Sequence, residues 1–171
     1  LGDDFSANRV FVPEMLIAAR CMSAATELLK PYMVGEGGKS ATVGSAVIGT
    51  VRGDMHDIGK NLVKIMMEGS GIEVYDLGTD VSAEQFVETA VEHDCGIIAC
   101  SSLLTTTMNE MRRVVSLAQE KGIRKKVRIL IGGAPISQSF CDEIGADVYT
   151  EDAGAAARAA VEILKTCQTG K

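Results

Sequence analysis

The sequence predicts an α/β fold, a five-stranded parallel sheet doubly wound by helices, and three observations predict it. From Ser45 onward, short apolar runs alternate five times with longer stretches of helical periodicity. Glycines sit where those helical stretches should stop, at Gly69-Ser70-Gly71 and at Gly122. Each pair of apolar runs is separated by enough chain for a helical crossover, which parallel neighbours require.

In chain order, residues 1–8 are polar and predict nothing definite. Phe11-Val12-Pro13-Glu14 then opens a helix, with Pro13 suited to a first turn and Glu14 favourable to the helix dipole. It is expected to run to about Lys30 and stop at Pro31. Arg20, Ser23, Glu27 and Lys30 make one polar stripe, against an apolar surface of Met15, Leu16, Ala18, Ala19, Met22, Ala25 and Leu29. A helix that apolar needs partners, from a larger bundle or a dimer. Residues 34–42, with Gly-Glu-Gly-Gly-Lys-Ser, have linker composition.

Strands are expected at about 45–51, 72–77, 96–101, 127–131 and 146–149. Helices are expected near 58–69, 82–93, 106–121, 136–143 and 153–167. Ser82 and Gln85 are spaced as a capping box. Right-handed crossovers between five such strands favour the flavodoxin-like order 2-1-3-4-5.

Composition narrows the function. The chain has 171 residues, enough for one substantial domain and an extra element. A formal net charge of −6 argues against a nucleic-acid or anionic-membrane surface. No apolar run approaches the roughly 18 residues of a membrane span, and no secretory signal is evident, so a cytoplasmic protein is expected. Cys21, Cys95, Cys100, Cys141 and Cys167 form no Cys-x-x-Cys pair and are expected to be buried thiols. Two histidines are too few for a multi-histidine zinc site. A metal here depends on one protein ligand or arrives with its own.

The site is expected in the break after the first strand, Asp54-Met55-His56-Asp57-Ile58-Gly59, at the sheet edge where open α/β folds hold ligands. A P-loop fails because Gly53 and Gly59 enclose five residues rather than four and Asn61 replaces the hydroxyl residue after Lys60. A dinucleotide fingerprint fails because no G-x-G-x-x-G is present. The remaining reading is Asp-x-His-x-x-Gly, with His56 a metal ligand through one ring nitrogen and Asp54 accepting a hydrogen bond from the other. Other unusual segments fall on the same edge. They are Ser101-Ser102-Leu103-Leu104-Thr105-Thr106-Thr107 after the third strand, Gly132-Gly133-Ala134 after the fourth, and Tyr149-Thr150-Glu151-Asp152 with Gly154 after the fifth. Together they leave a slot lined by small residues beneath a histidine. His93 lies on the opposite edge and is expected to be a surface residue.

The Asp54-x-His56-x-x-Gly59 motif, followed in order by Ser101-x-Leu103 and Gly132-Gly133, resembles the cobalamin-binding domains of corrinoid methyl-carrier proteins and of cobalamin-dependent methionine synthase. The resemblance covers Val43 to about Lys165. It implies a corrinoid bound base-off/His-on, with His56 the lower axial cobalt ligand, Asp54 its hydrogen-bond partner and Thr107 a hydroxyl relaying protons to that pair; methionine synthase has a serine there. Met55, Asp57, Ile58 and Gly59 would complete the loop on the cofactor. Ser101 would bond the displaced base and Thr105 the tail near it. Gly132 and Gly133 would line the channel, with Tyr149, Thr150 and Gly154 near its deep end. The Phe11-Val12-Pro13-Glu14 helix resembles the last helix of the family's upper-face cap. The implied division is 1–33 for part of a helical cap, 34–42 for a linker and 43–171 for the cobalamin-binding domain.

The implied function is methyl carriage on cobalt in one-carbon metabolism, from a methylamine, methanol or methoxylated donor to coenzyme M or tetrahydrofolate. The carrier would be a subunit of a methyltransferase system rather than a complete enzyme. Its partners would be a substrate-specific methyltransferase, an acceptor methyltransferase and a reductive activase, with a homodimer as an option. The main alternative is the small subunit of an adenosylcobalamin-dependent mutase, which resembles the sheet domain without the preceding helix. A cobalamin-sensing regulator should carry a basic DNA-binding segment, which is not seen. A flavodoxin-like domain for a phosphorylated ligand would contain no cobalt.

Overall fold

The computed structural model describes residues 4, 7, 9–33 and 42–169. Helix α1 is Val12–Met33, followed by β1 (Gly44–Thr50), α2 (Ile58–Gly69), β2 (Ile72–Asp76), α3 (Ala83–Glu92) and β3 (Ile97–Ser101). The chain continues through α4 (Met108–Glu120), β4 (Arg128–Gly132), α5 (Gln138–Ile144), β5 (Val148–Tyr149) and α6 (Ala153–Thr169). All four strand pairings are parallel and the order is β2-β1-β3-β4-β5, as the alternation of elements predicts.

Side-chain alternation splits the core in two. One face gathers Val47, Ile98 and Ile129 under Phe86, Met111, Val114 and Ile144 of α3, α4 and α5. The other sets Ala46, Ile48, Ala99 and Leu130 against Met67 of α2 and the small residues Ala157 and Ala160 of α6. That second layer is thin, and its thinness leaves room near the carboxyl ends of the strands. The Ser82–Gln85 capping box is present in full, and Gly71 and Gly122 take the left-handed φ of +83° and +70° after their helices.

Three expectations need correction. Helix α1 does not stop at Pro31 but continues to Met33; near a helix end, proline removes a single donor and the last turn still closes. Strand β5 is only two residues long. Where the strand was expected to begin, the Asp147 N–H still donates to the Ile129 carbonyl at 2.9 Å, but the Ile129 N–H goes to the Asp147 carboxylate at 2.7 Å, so a side chain takes one of the two main-chain partners. Cys21 is exposed on α1, whereas Cys95, Cys100 and Cys141 are buried as expected. Burial pushes the Cys95 thiol up to about 11, which keeps it protonated and unreactive at neutral pH. The expected linker falls almost wholly on residues outside those described. So do the side chains of Ala19, Met22, Ser23, Glu27, Leu29, Lys30 and Cys167. On α1, Met15 is buried while Leu16, Ile17 and Leu28 are exposed, as is Phe11 just before it.

One buried charge ties the sheet to the site. Lys60 stands in the first turn of α2, the unfavourable end of the dipole for a cation, yet its side chain is only 2% exposed. Its Nζ lies 2.6 Å from Asp76 Oδ1 and 2.7 Å from Asn61 Oδ1, and Lys64 reaches Asp76 Oδ2 at 3.3 Å. Burial alone would raise the Asp76 carboxyl, but the Lys60 hydrogen bond, the Gly78 N–H and Lys64 outweigh it and hold it below its ordinary 3.8. Such a group adds stability that is present above its unfolded pKa and lost as pH falls through the depressed folded value. Lys60→Met is therefore expected to cost about 1–3 kcal/mol at pH 7, below the range for fully buried pairs because Asp76 keeps Lys64 and some solvent. Urea melts at pH 7 and at pH 3 measure it: the variant should lose less stability on acidification than the parent.

Candidate functional site

The polypeptide leaves β1 at Thr50 and bends through Gly53, whose φ of +81° suits glycine. It then places Asp54 inside and His56 outside before α2 begins. Asp54 is fully buried, and the His56 side chain is 52% exposed. The two meet through His56 Nδ1 and Asp54 Oδ1 at 2.7 Å, and the same oxygen accepts the His56 backbone N–H at 3.1 Å.

The other carboxylate oxygen is held by the loop after β3. Asp54 Oδ2 accepts the N–H of Leu103 at 2.7 Å and of Leu104 at 3.2 Å, with Thr107 Oγ1 at 3.2 Å and Ser102 Oγ at 3.5 Å. Burial pushes this carboxyl up, but the Leu103 and His56 N–H groups, the His56 ring and the Leu104 N–H together outweigh it and hold it well below the usual carboxylate range. Asp54 is thus ionised at neutral pH and can only accept. The ring proton of neutral His56 consequently sits on Nδ1, and Nε2 keeps a free lone pair.

Thr107 stands at the N-cap position of α4 without capping it. Its hydroxyl instead shares the carboxylate, the Leu104 carbonyl at 3.0 Å and Ser102 Oγ at 2.8 Å. Two hydroxyl protons serve more acceptors than they can satisfy at once, so small rotations exchange partners.

Beneath His56 a cleft of about 760 Å³ opens between the sheet edge, α2 and the start of α6. Its wall includes the expected Met55, His56, Asp57, Ile58, Gly59, Ser101, Leu103, Gly132, Gly133, Tyr149 and Thr150. Asp54 and Thr107 lie buried behind the histidine. Thr105 is exposed on the turn after β3 and Gly154 is buried in the first turn of α6; neither is part of that wall. Deeper in, Val63, Met67, Ala99, Leu130 and Ala156 make the lining apolar. Of its lining residues Met55, Ile58 and Leu103 are exposed, an apolar rim beside His56.

Two glycines of the wall answer different demands. A Cβ on Gly133 would lie 1.8 Å from the Ser102 carbonyl oxygen, so glycine there lets the loops after β3 and β4 touch. A Cβ on Gly59 meets no protein atom within 4 Å. Packing does not ask for glycine at that helical position, where it is unfavourable; open space in the cleft does.

Sequence reasoning missed Ser102, Leu104 and Lys60. Ser102 was legible as part of a hydroxyl-dense run, but the contribution of Leu104 is a backbone N–H, which residue identity does not reveal. His93, as expected, is exposed, at the end of α3, where it stacks on Tyr75 at 3.9 Å.

Among the described residues, no cluster of three or more His, Cys, Asp or Glu could hold a metal ion. A metal at His56 therefore brings its other ligands with it, and a long planar chelate suits the single nitrogen, the apolar rim and the narrow cleft below. Comparison with known proteins agrees. The family model described as "B12 binding domain" matches residues 44–162. Dimethylamine corrinoid protein 1 of Methanosarcina acetivorans is 44% identical over 164 residues, spanning 96% of this chain and 76% of the relative. Dimethylamine corrinoid protein 3 of Methanosarcina mazei is 43% identical, spanning 96% and 98%. A chain of the methanol:cobalamin methyltransferase complex from Methanosarcina barkeri superposes with a TM-score of 0.85 at 30% identity, covering 95% of this chain and 61% of that one. A buried aspartate behind an exposed histidine, over a glycine-opened cleft, thus belongs to a member of the B12-binding domain family, and within it to the corrinoid proteins.

Proposed function

We propose that this protein carries a methyl group on a corrinoid bound base-off/His-on, with His56 Nε2 as the lower axial ligand of cobalt. The observation that carries the reading is the ionised Asp54 fixing the ring proton on Nδ1, which leaves Nε2 as a lone-pair donor at the mouth of the cleft. The bound corrinoid supplies a cobalt centre that takes a methyl group from a donor and passes it to an acceptor.

The chain's own residues do the rest. Asp54 orients the imidazole and makes it a better donor. Were Nε2 free of the metal and protonated, the Asp54 carboxylate would stabilise the imidazolium, and the hydroxyls of Thr107 and Ser102, both within reach of Oδ2, could adjust their hydrogen bonds to it. Met55, Ile58 and Leu103 offer an apolar seat to a flat ring and keep water from the donor nitrogen. Ser101, Gly132, Gly133, Tyr149 and Thr150 line the cleft for the displaced base and its tail.

The relatives named for dimethylamine favour a methylated amine as donor, and the methanol complex favours a separate methyltransferase as the partner that loads the carrier. An acceptor methyltransferase and a reductive activase complete the proposed system. Helix α1 is read as part of a helical unit over the upper face, which accounts for the exposed Phe11, Leu16, Ile17 and Leu28. No helix among the described residues is long and apolar enough to cross a membrane; a cytoplasmic location is part of the proposal.

Protein reconstituted with hydroxocobalamin should accept a methyl group from a methylamine:corrinoid methyltransferase and release it to an acceptor transferase. Support of adenosyl radical rearrangement alone would instead favour the mutase reading. Absorption spectra of the reconstituted protein should show base-off, nitrogen-ligated cobalt, and His56→Ala should lose that ligation; an unchanged spectrum removes the ligand assignment. Gly59→Leu is expected to leave the urea midpoint unchanged or raise it, leucine being the better helix former by up to about 1 kcal/mol. The same variant should lower corrinoid retention on gel filtration at least about tenfold, as a side chain enters space the ligand needs.

A further inference from the structure

Two residues outside the Asp-x-His-x-x-Gly motif, Thr50 and Asp80, grip the backbone of its loop. Thr50, the last residue of β1, is fully buried. Its Oγ1 donates to the His56 carbonyl at 2.8 Å. Its own backbone is clamped from the turn after β2: its N–H donates to Gly78 O at 2.9 Å and its carbonyl accepts the Val81 N–H at 3.0 Å. Asp80 belongs to that same turn and sits at a φ of +57°, a left-handed conformation that aspartate tolerates better than most residues. Its Oδ1 accepts the Gly53 N–H at 2.7 Å, and its own N–H donates to the Asp54 carbonyl at 3.0 Å.

The motif loop is therefore fastened at residues 53, 54 and 56 to a strand end and a neighbouring turn, neither of which lines the cleft. The bond between His56 Nδ1 and Asp54 fixes which nitrogen is free, but it leaves the ring able to follow any drift of the His56 backbone. Thr50 removes that drift at the carbonyl of the ligand residue itself. Asp80 removes it at the bend that leads into the loop. A coordinating nitrogen must be held to about half an ångström of its working position, so these tethers govern how strongly it coordinates.

We propose that Thr50 and Asp80 are positioning residues that set the balance between cobalt-bound and released His56, acting through the backbone of the β1–α2 loop. This rests on His56 being the axial ligand, as proposed above.

The test uses protein reconstituted with hydroxocobalamin and reduced to cobalt(II), at one fixed pH. With the protein's histidines labelled with nitrogen-15, the electron paramagnetic resonance spectrum then separates cobalt bearing the imidazole nitrogen, whose lines are split in two, from cobalt bearing the cofactor's own base, whose lines are split in three, and from cobalt bearing no axial nitrogen. Thr50→Val keeps the shape of the side chain and removes the donor. It should shift the ratio of ligated to unligated cobalt about three- to tenfold toward unligated, the size expected for one lost hydrogen bond. Thr50→Ser should restore the ratio. Asp80→Ala should shift it in the same direction, and Asp80→Asn, which keeps the accepting oxygen, should restore it. If Thr50→Val does not fold, the Asp80 pair carries the same comparison. His56→Ala separates the two levels of inference. A histidine nitrogen-15 splitting that survives in His56→Ala overturns the ligand assignment. A signature lost in His56→Ala while Thr50→Val and Asp80→Ala keep the wild-type ratio overturns the positioning role, whatever those variants do to thermal stability.

Discussion

The carboxylate of Asp54 is withdrawn from water at the end of the central strand, and the architecture around it answers that one constraint. An isolated buried carboxylate is worth several kcal/mol of instability or a protonated side chain. Here neither results, because groups from two loops converge on both oxygens. The Leu103 and Leu104 N–H groups reach Asp54 only if the chain after β3 runs close beside the chain after β1. That adjacency exists because β1 and β3 pair in parallel, with Thr50 opposite Ser101. The sheet order is thus what makes the ionised carboxylate possible, and the ionised carboxylate makes the imidazole a single-faced donor.

The cleft follows from a different property of the same sheet. Its two faces are packed to different depths, with Phe86 and Met111 filling one and alanines of α6 facing the other. The cleft opens on this second face at the carboxyl ends of the strands, lined there by Ile48, Val63, Met67, Ala99, Leu130 and Ala156. Gly132 and Gly133 let the loops after β3, β4 and β5 approach closely at its wall: a Cβ on Gly133 would lie 1.8 Å from the Ser102 carbonyl oxygen and one on Gly132 3.4 Å from that of Thr150. Polar anchoring of the histidine and apolar emptiness below it are therefore independent inventions of one topology. The Gly133 close approach belongs to the protein's own packing, whereas at Gly59 a side chain would meet no protein atom.

Much of this was legible in the sequence because it is carried by residue type and period. Alternating apolar runs gave the parallel sheet, the Ser82–Gln85 spacing gave a cap that forms in full, and the Asp54–His56 spacing gave their hydrogen bond. What stayed hidden depends on backbone or on distant partners. The donors from Leu103 and Leu104 are peptide groups, indifferent to their side chains. Ser102 was passed over in favour of Ser101, its neighbour, because alternation along a strand end does not say which hydroxyl turns inward. Nothing in the residue type of Lys60 reveals its burial, which depends on Asp76, sixteen residues on and one strand away. Pro31 misled for the opposite reason, since the rule that proline breaks helices is strong in an interior and weak two residues from an end.

A methyl carrier needs its lower ligand to hold in one state of the metal and let go in another, which sets opposing demands on the loop that bears it. A loop that is too loose would spread the imidazole over many positions and weaken coordination through lost orientation. One locked through the ring itself could not release. The arrangement found here divides the two tasks. Thr50, Asp80 and the turn after β2 hold the main chain, while the side chain is joined to the protein only at Nδ1, through a bond that survives either protonation state of Nε2. On the proposed ligation, rigidity is placed in the backbone and reversibility at one exposed nitrogen, so that binding and release of a metal would call for movement of a ring and two hydroxyl rotors rather than of the loop.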